Sequence, residues 1–125
     1  MMFAMGRSYE DLLVWQKAIS FVTEVYRATA CFPREEIYGL TGQLRRAAVS
    51  VPSNIAEGQS RLSKNEFHHF LSNARGSLSE IETQLIICQN LGYFTRDHVA
   101  SLIVHTNELG RMLNGLLSSL KQSTD

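Results

Sequence analysis

Among the side chains able to do chemistry, the most suggestive spacing is Glu66-Phe67-His68-His69, a Glu-x-x-His pair one helical turn apart. Bundles that hold two metal ions use two such pairs and two further inward carboxylates. Here the pair occurs once, and Glu66 also closes an S-x-x-E helix start with Ser63, so a metal-binding bundle is the least favoured reading. His98 and His105 stand seven residues apart with no Cys, His or carboxylate at ligand spacing beside them, which makes them boundary residues of a helix. Cys31 and Cys88 lack the close pairing of a metal or redox motif and sit in apolar helical patterns, as reduced core thiols do. No P-loop, dinucleotide fingerprint, nucleophile elbow or HExxH occurs, so the expectation is a protein that is not an enzyme and carries no cofactor.

Binding chemistry offers more. Arg45, Arg46, Arg61, Lys64 and Arg75 gather in the middle of the chain and are the candidates for contact with nucleic acid, although Glu57, Glu66, Glu80 and Glu82 dilute them. The chain as a whole has 12 Lys plus Arg against 12 Asp plus Glu, so no bulk field draws it to nucleic acid or acidic lipid. A symmetric oligomer would be needed to concentrate these residues around a rim or pore. Arg46, Ser50, Ser53, Asn54 and Glu57 also share one helical face, which suits a solvated surface, a network between subunits or a ligand site.

The elements that position these residues are helices. At 125 residues the chain has the size of a single domain, spanning 1–125. The apolar periodicity predicts an all-α, antiparallel, up-and-down four-helix bundle with helices over about 9–31, 34–60, 64–91 and 96–121. Helix 1 starts with Ser8 and Asp11 as a capping pair and ends before Pro33. Helix 2 opens on Pro33 with Glu35 and Glu36 in its first turn, and its core stripe is Ile37, Leu40, Leu44, Ala48, Val51 and Ile55. Pro52 lies inside that stripe and is expected to kink or divide the helix. Helix 3 is capped at Ser63 and buries Phe67, Phe70, Leu71, Ala74, Leu78, Ile81, Leu85 and Cys88 before Gly92 stops it. Thr95 caps helix 4, whose core face is Val99, Leu102, Thr106, Leu109, Leu113, Leu117 and Leu120.

Helix 1 carries two apolar stripes. Leu12, Trp15, Ile19, Val22, Tyr26 and Thr29 are assigned to the core, leaving Val14, Ala18, Phe21, Val25 and Ala28 as the oligomer interface, the alternative being that neighbouring helices wrap round helix 1 and cover them. Together they cover an arc of about 200°, more than one bundle core needs. Helix 2 is rich in small residues, among them Gly39, Gly42, Ala47, Ala48, Ala56 and Gly58, which permit close helix approach. The opening Met-Met-Phe-Ala-Met-Gly-Arg does not resemble a secretory signal, and no apolar run approaches a membrane span, so a cytoplasmic location without membrane contact is expected.

Three stretches carry a family resemblance: Asp11-Leu-Leu-Val-Trp-Gln-Lys-Ala18, Leu40-Thr-Gly-Gln-Leu-Arg-Arg-Ala-Ala48 and Ser50-Val-Pro-Ser-Asn-Ile-Ala-Glu-Gly58. They resemble the four-helix-bundle 23S rRNA-intervening-sequence proteins. That family is similar to the accessory variability protein of diversity-generating retroelements, a ring of five bundles that binds nucleic acid and a reverse transcriptase. The resemblance therefore implies a homopentamer and directs attention to Trp15, Lys17, Arg45, Arg46, Ser50, Asn54, Glu57 and Gly58. It also implies a structural or inter-subunit polar network of Lys17, Arg46, Ser50, Asn54 and Glu57, with Glu80 and Gln84 of helix 3 as partners. The functional expectation is a homo-oligomeric binding or scaffold protein with RNA or DNA as candidate partner; the alternative is a protein–protein adaptor without nucleic-acid binding.

Overall fold

The computed structural model describes residues 9–122. A 3-10 turn over Tyr9–Asp11 leads into α1 (Leu13–Thr29), a second turn over Arg34–Glu36 precedes α2 (Leu40–Gln59), and α3 (Lys64–Asn90) and α4 (Arg96–Gln122) follow. Ser8, the expected cap of helix 1, lies outside the described residues. The first helix begins at Leu13 rather than near residue 9. Its start has no side-chain cap, Leu12 being extended ahead of it.

Cap chemistry sets the later boundaries. Ser63 Oγ accepts the Glu66 amide at 3.0 Å, opening α3. The end of α3 is a Schellman motif: the Gly92 amide bonds the Gln89 carbonyl and the Tyr93 amide reaches the Cys88 carbonyl at 2.9 Å. Gly92 takes φ of 81°, which a Cβ would strain. Thr95 Oγ1 accepts the His98 amide at 3.1 Å and caps α4.

Helix 2 starts later than its proline suggests. Glu36 Oε1 accepts the Leu40 amide at 3.0 Å, so a carboxylate caps the helix at Leu40 while Arg34–Glu36 forms a separate turn. Ile37, expected in the core, is consequently 49% exposed. Further along, α2 runs unbroken through the buried Pro52, which does not divide it.

Cross-helix contacts fix the packing. Ser50 of α2 donates to Ser77 of α3, whereas Gly58, two turns later, lies against Phe67 and Phe70. Arg75 meets Asn114 of α4 and Thr106 meets Glu82. Lys17 pairs with Glu108, and Glu24 with His105. In each pair residue numbers rise on one helix as they fall on the other, so these neighbours run in opposite directions. The connections of four residues after α2 and five after α3 are too short for any other return, since four extended residues span only about 14 Å against about 30 Å for a twenty-residue helix.

One apolar cluster receives side chains from all four helices. Leu44, Ile55, Leu71, Ile81, Leu85, Leu102, Leu109 and Leu113 are its largest fully buried members. The stripes read for helices 3 and 4 lie on this core except for Phe70, which is half-buried outside it under Arg61, and Phe67 and Leu120 are only partly buried. On α1 the two stripes largely change places, although Thr29, assigned to the core, is buried there at 2% exposure and Leu12, Trp15 and Val22 pack partly against it. Val14, Ala18, Phe21 and Val25 are buried at 3% exposure or less, and Ala28 packs against them, whereas Ile19 and Tyr26 are 40% and 43% exposed. The reason is where the neighbours lie: α4 meets α1 at Lys17 and Glu24, and α2 meets it at Tyr26 and Thr29. The arc between those two flanks holds Val14, Ala18, Phe21 and Val25, so the stripe assigned to an oligomer interface is the core of the single chain. Trp15 sits at the rim, edge-on to Tyr9.

Candidate functional site

No single cleft gathers the candidate residues. The basic set separates by helix face and by distance along the bundle. Arg45 points to α1: its Nε–H donates to Thr29 Oγ1 at 2.9 Å, its Nη2–H to the Tyr26 carbonyl at 3.2 Å, and its guanidinium lies over the Tyr26 ring. Arg46, about 100° further round the helix, lines a groove between α2 and α3 with Gln43, Ser50, Ser77 and Glu80. Arg61 pairs with Glu57 and covers the Phe70 ring at the α2–α3 turn, where exposed Lys64 begins α3. Arg75 Nη1 donates to Asn114 Oδ1 at 2.9 Å on the α3–α4 face. Arg45 and Arg61 are sixteen residues apart, roughly 24 Å of helical rise. Within one chain these five residues form no continuous basic patch.

The expected polar network is likewise divided. Arg46, Ser50 and Glu80 share the α2–α3 groove, and the Asn54 amide donates to the Ser50 carbonyl at 2.8 Å. Gln84 donates to Glu80 Oε2 at 3.4 Å while its own carbonyl oxygen is buried without a partner. Lys17 is elsewhere, 3.2 Å from Glu108 on the α1–α4 seam, and Glu57 is engaged with Arg61. That seam also holds the His105–Glu24 contact at 2.7 Å, and a cavity of about 190 Å³ between the two pairs includes Ser20.

Glu36 was legible only as a complement to a helix dipole; the structure makes it a hub. Its second oxygen accepts the Tyr93 hydroxyl at 2.8 Å. The Leu40 amide, and after it the Tyr93 hydroxyl, hold the Glu36 carboxyl below the usual carboxylate range. The same bond pushes the Tyr93 phenol up. Burial, aided by the Glu36 charge, raises the Cys88 thiol to about 11. Cys31, expected as a core thiol, is exposed because it follows the last turn of α1. Among the described residues no group of three or more His, Cys, Asp or Glu side chains is arranged to hold a metal ion, and no helix is long and apolar enough to cross a membrane.

Of the large apolar side chains left exposed, several lie along the α1–α2 edge. Ile19 and Tyr26 of α1 and Val49 of α2 are exposed, and Trp15 and Val22 are only partly buried. Because Arg45 meets Tyr26 and the helices run oppositely, Val49, one turn on, is level with Val22, one turn back.

The architecture is that of an all-helical, four-helix-bundle protein built around one apolar core. The family model described as 23S rRNA-intervening sequence protein matches residues 10–115, and the chain belongs to that family. A solved structure of a protein of unknown function from the S23 ribosomal protein family of Bacteroides thetaiotaomicron superposes with a TM-score of 0.78 at 20% identity, covering 85% of this chain and 96% of that one. At that identity the likeness concerns the fold. None of the curated proteins matches the chain.

Proposed function

We propose that the chain is a cytoplasmic, non-enzymatic homo-oligomeric scaffold whose α1–α2 edge is a subunit interface and whose candidate partner is nucleic acid. The observation that carries the reading is the apolar band of Ile19, Tyr26 and Val49 with Trp15 and Val22 beside it. Single exposed apolar side chains are ordinary, but several gathered along one edge favour a contact surface. A closed ring needs a second, different surface on each copy. Ile86 of α3 and Val104 of α4, both exposed, supply apolar groups away from that edge. The pentameric ring implied by the family resemblance is a closed assembly of this kind.

A ring also bears on the partner. It would repeat Arg46 and Arg75 around an axis and build a charge density that one neutral chain lacks. The dispersal of the five basic residues favours a second reading, a protein–protein adaptor without nucleic-acid affinity. Light scattering coupled to size exclusion, with and without a mixed RNA and DNA pool over a salt series, separates the two. The proposal expects a mass that is a multiple of 14.1 kDa and a salt-sensitive shift with nucleic acid. An oligomer indifferent to nucleic acid selects the adaptor, and a monomer overturns the scaffold.

A further inference from the structure

The elbow between α1 and α2 forms an open hollow of about 380 Å³ lined by Thr29, Phe32, Arg34, Ile37, Thr41 and Arg45 among others. Its chemistry is unusual for a surface hollow. Arg45 is held rigid by Thr29, the Tyr26 carbonyl and the Tyr26 ring, 4.5 Å from its guanidinium carbon. Those bonds use two of the five guanidinium N–H donors, and neither acceptor is a carboxylate. Arg34 forms no ion pair with a described residue. The nearby Glu36 is spent on the Leu40 amide and the Tyr93 hydroxyl.

A third polar group is left over. Thr41 is 3% exposed and its hydroxyl has no hydrogen-bond partner. A buried hydroxyl without a partner costs free energy that a ligand oxygen would recover. The remaining wall is apolar: Pro33 and Ile37 line it, and Phe32 is pinned by Tyr93 and Phe94 at ring separations of 5.2 and 4.9 Å. Two guanidinium groups without acidic partners, a spare hydroxyl and an apolar wall suit an oxyanion carried on an apolar body. Fork-shaped guanidinium donors match both carboxylate and phosphate oxygens.

We propose that this elbow is a binding site for a small molecule carrying one carboxylate or phosphate on an aromatic or aliphatic body. Arg34 and Arg45 grip the oxyanion, Thr41 donates its hydroxyl, and Phe32 and Ile37 cover the body. The site is complete within one chain, so it stands or falls apart from the oligomer.

Titration calorimetry of the full chain with phenyl phosphate, benzoate, phenol and inorganic phosphate tests it, alongside nuclear magnetic resonance of the arginine Nε–H signals. At least one aryl anion should bind about tenfold or more tighter than phenol and shift the Arg34 and Arg45 signals, as charge-assisted hydrogen bonds would require. The stronger of phenyl phosphate and benzoate identifies the oxyanion. Arg34→Ala should weaken that binding about tenfold or more with the fold intact, since Arg34 is exposed. Thr41→Val should weaken binding while leaving the chain at least as stable, because it removes a hydroxyl that has no partner. Phenol binding as tightly as the anions, affinity unchanged in Arg34→Ala, or no heat with either aryl anion at millimolar concentration would each overturn the proposal.

Discussion

A methyl group added at Gly58 probes the closest approach in the bundle. A Cβ there would lie 2.8 Å from Phe67 Cδ1 and 2.8 Å from Phe70 Cβ. The Phe67 ring can turn aside, but Phe70 Cβ is bonded to the α3 backbone, so relief requires α2 and α3 to separate. Overpacking of this kind costs about 1–3 kcal/mol, whereas exchanging a helical glycine for alanine returns about 0.5–1 kcal/mol. Gly58→Ala is therefore expected to destabilise the chain by up to about 2.5 kcal/mol, least if the α2–α3 turn yields. Gly76, exposed within α3, has nothing within 4 Å of its added Cβ and serves as the control. The same substitution there should stabilise by about 0.5–1 kcal/mol. Urea unfolding followed by far-ultraviolet circular dichroism, at one protein concentration because assembly would couple to stability, measures both. If Gly58→Ala moved the midpoint upward as Gly76→Ala does, the close packing of α2 on Phe70 would be refuted.

Arg45→Ala should cost about 1–3 kcal/mol in the same assay, because it removes donors to Thr29 and to the Tyr26 carbonyl. Arg45→Lys should recover little of this loss, since an ammonium cannot reproduce the planar fork over Tyr26. Thiol titration at pH 8 should label one cysteine in the native chain and two in denaturant, because Cys31 is exposed while Cys88 is buried with its thiol raised to about 11; fast labelling of both would contradict the packing of α3. Glu36 titrates lower folded than unfolded, so the unfolded chain takes up its proton first as pH falls. Its contribution is present above the ordinary carboxylate range and lost as pH drops through it towards the folded value. Glu36→Gln should flatten that acid limb of stability against pH, and an unchanged limb would refute its role as the α2 cap.

The parts of the fold that were legible in the sequence are those governed by local chemistry. Ser63 with Glu66, Thr95 and Gly92 mark helix ends through bonds spanning a few residues, and each acts in the structure as its type dictates. Long-range pairing was not legible. Tyr93, 57 residues from Glu36, gives that carboxylate its second partner, and nothing near Glu36 announces it. The stripes of α1 were misassigned for a related reason. Both satisfy the helical period, and the bulkier Trp15, Ile19 and Tyr26 look like core until the positions of α2 and α4 are known. Adjacent arginines misled in the same way, since Arg45 and Arg46 are neighbours in sequence but face α1 and the α2–α3 groove.

The central claim, that the α1–α2 edge joins copies of this chain, is tested most directly by the mass of the double variant Ile19→Asp, Val49→Asp in light scattering beside the unmodified chain. Both side chains are exposed, so the variant should keep the helical content of the parent. An oligomeric parent and a folded monomeric variant of 14.1 kDa are the predicted pair. A parent that is itself monomeric, or a variant that keeps the parent's mass, would contradict the account.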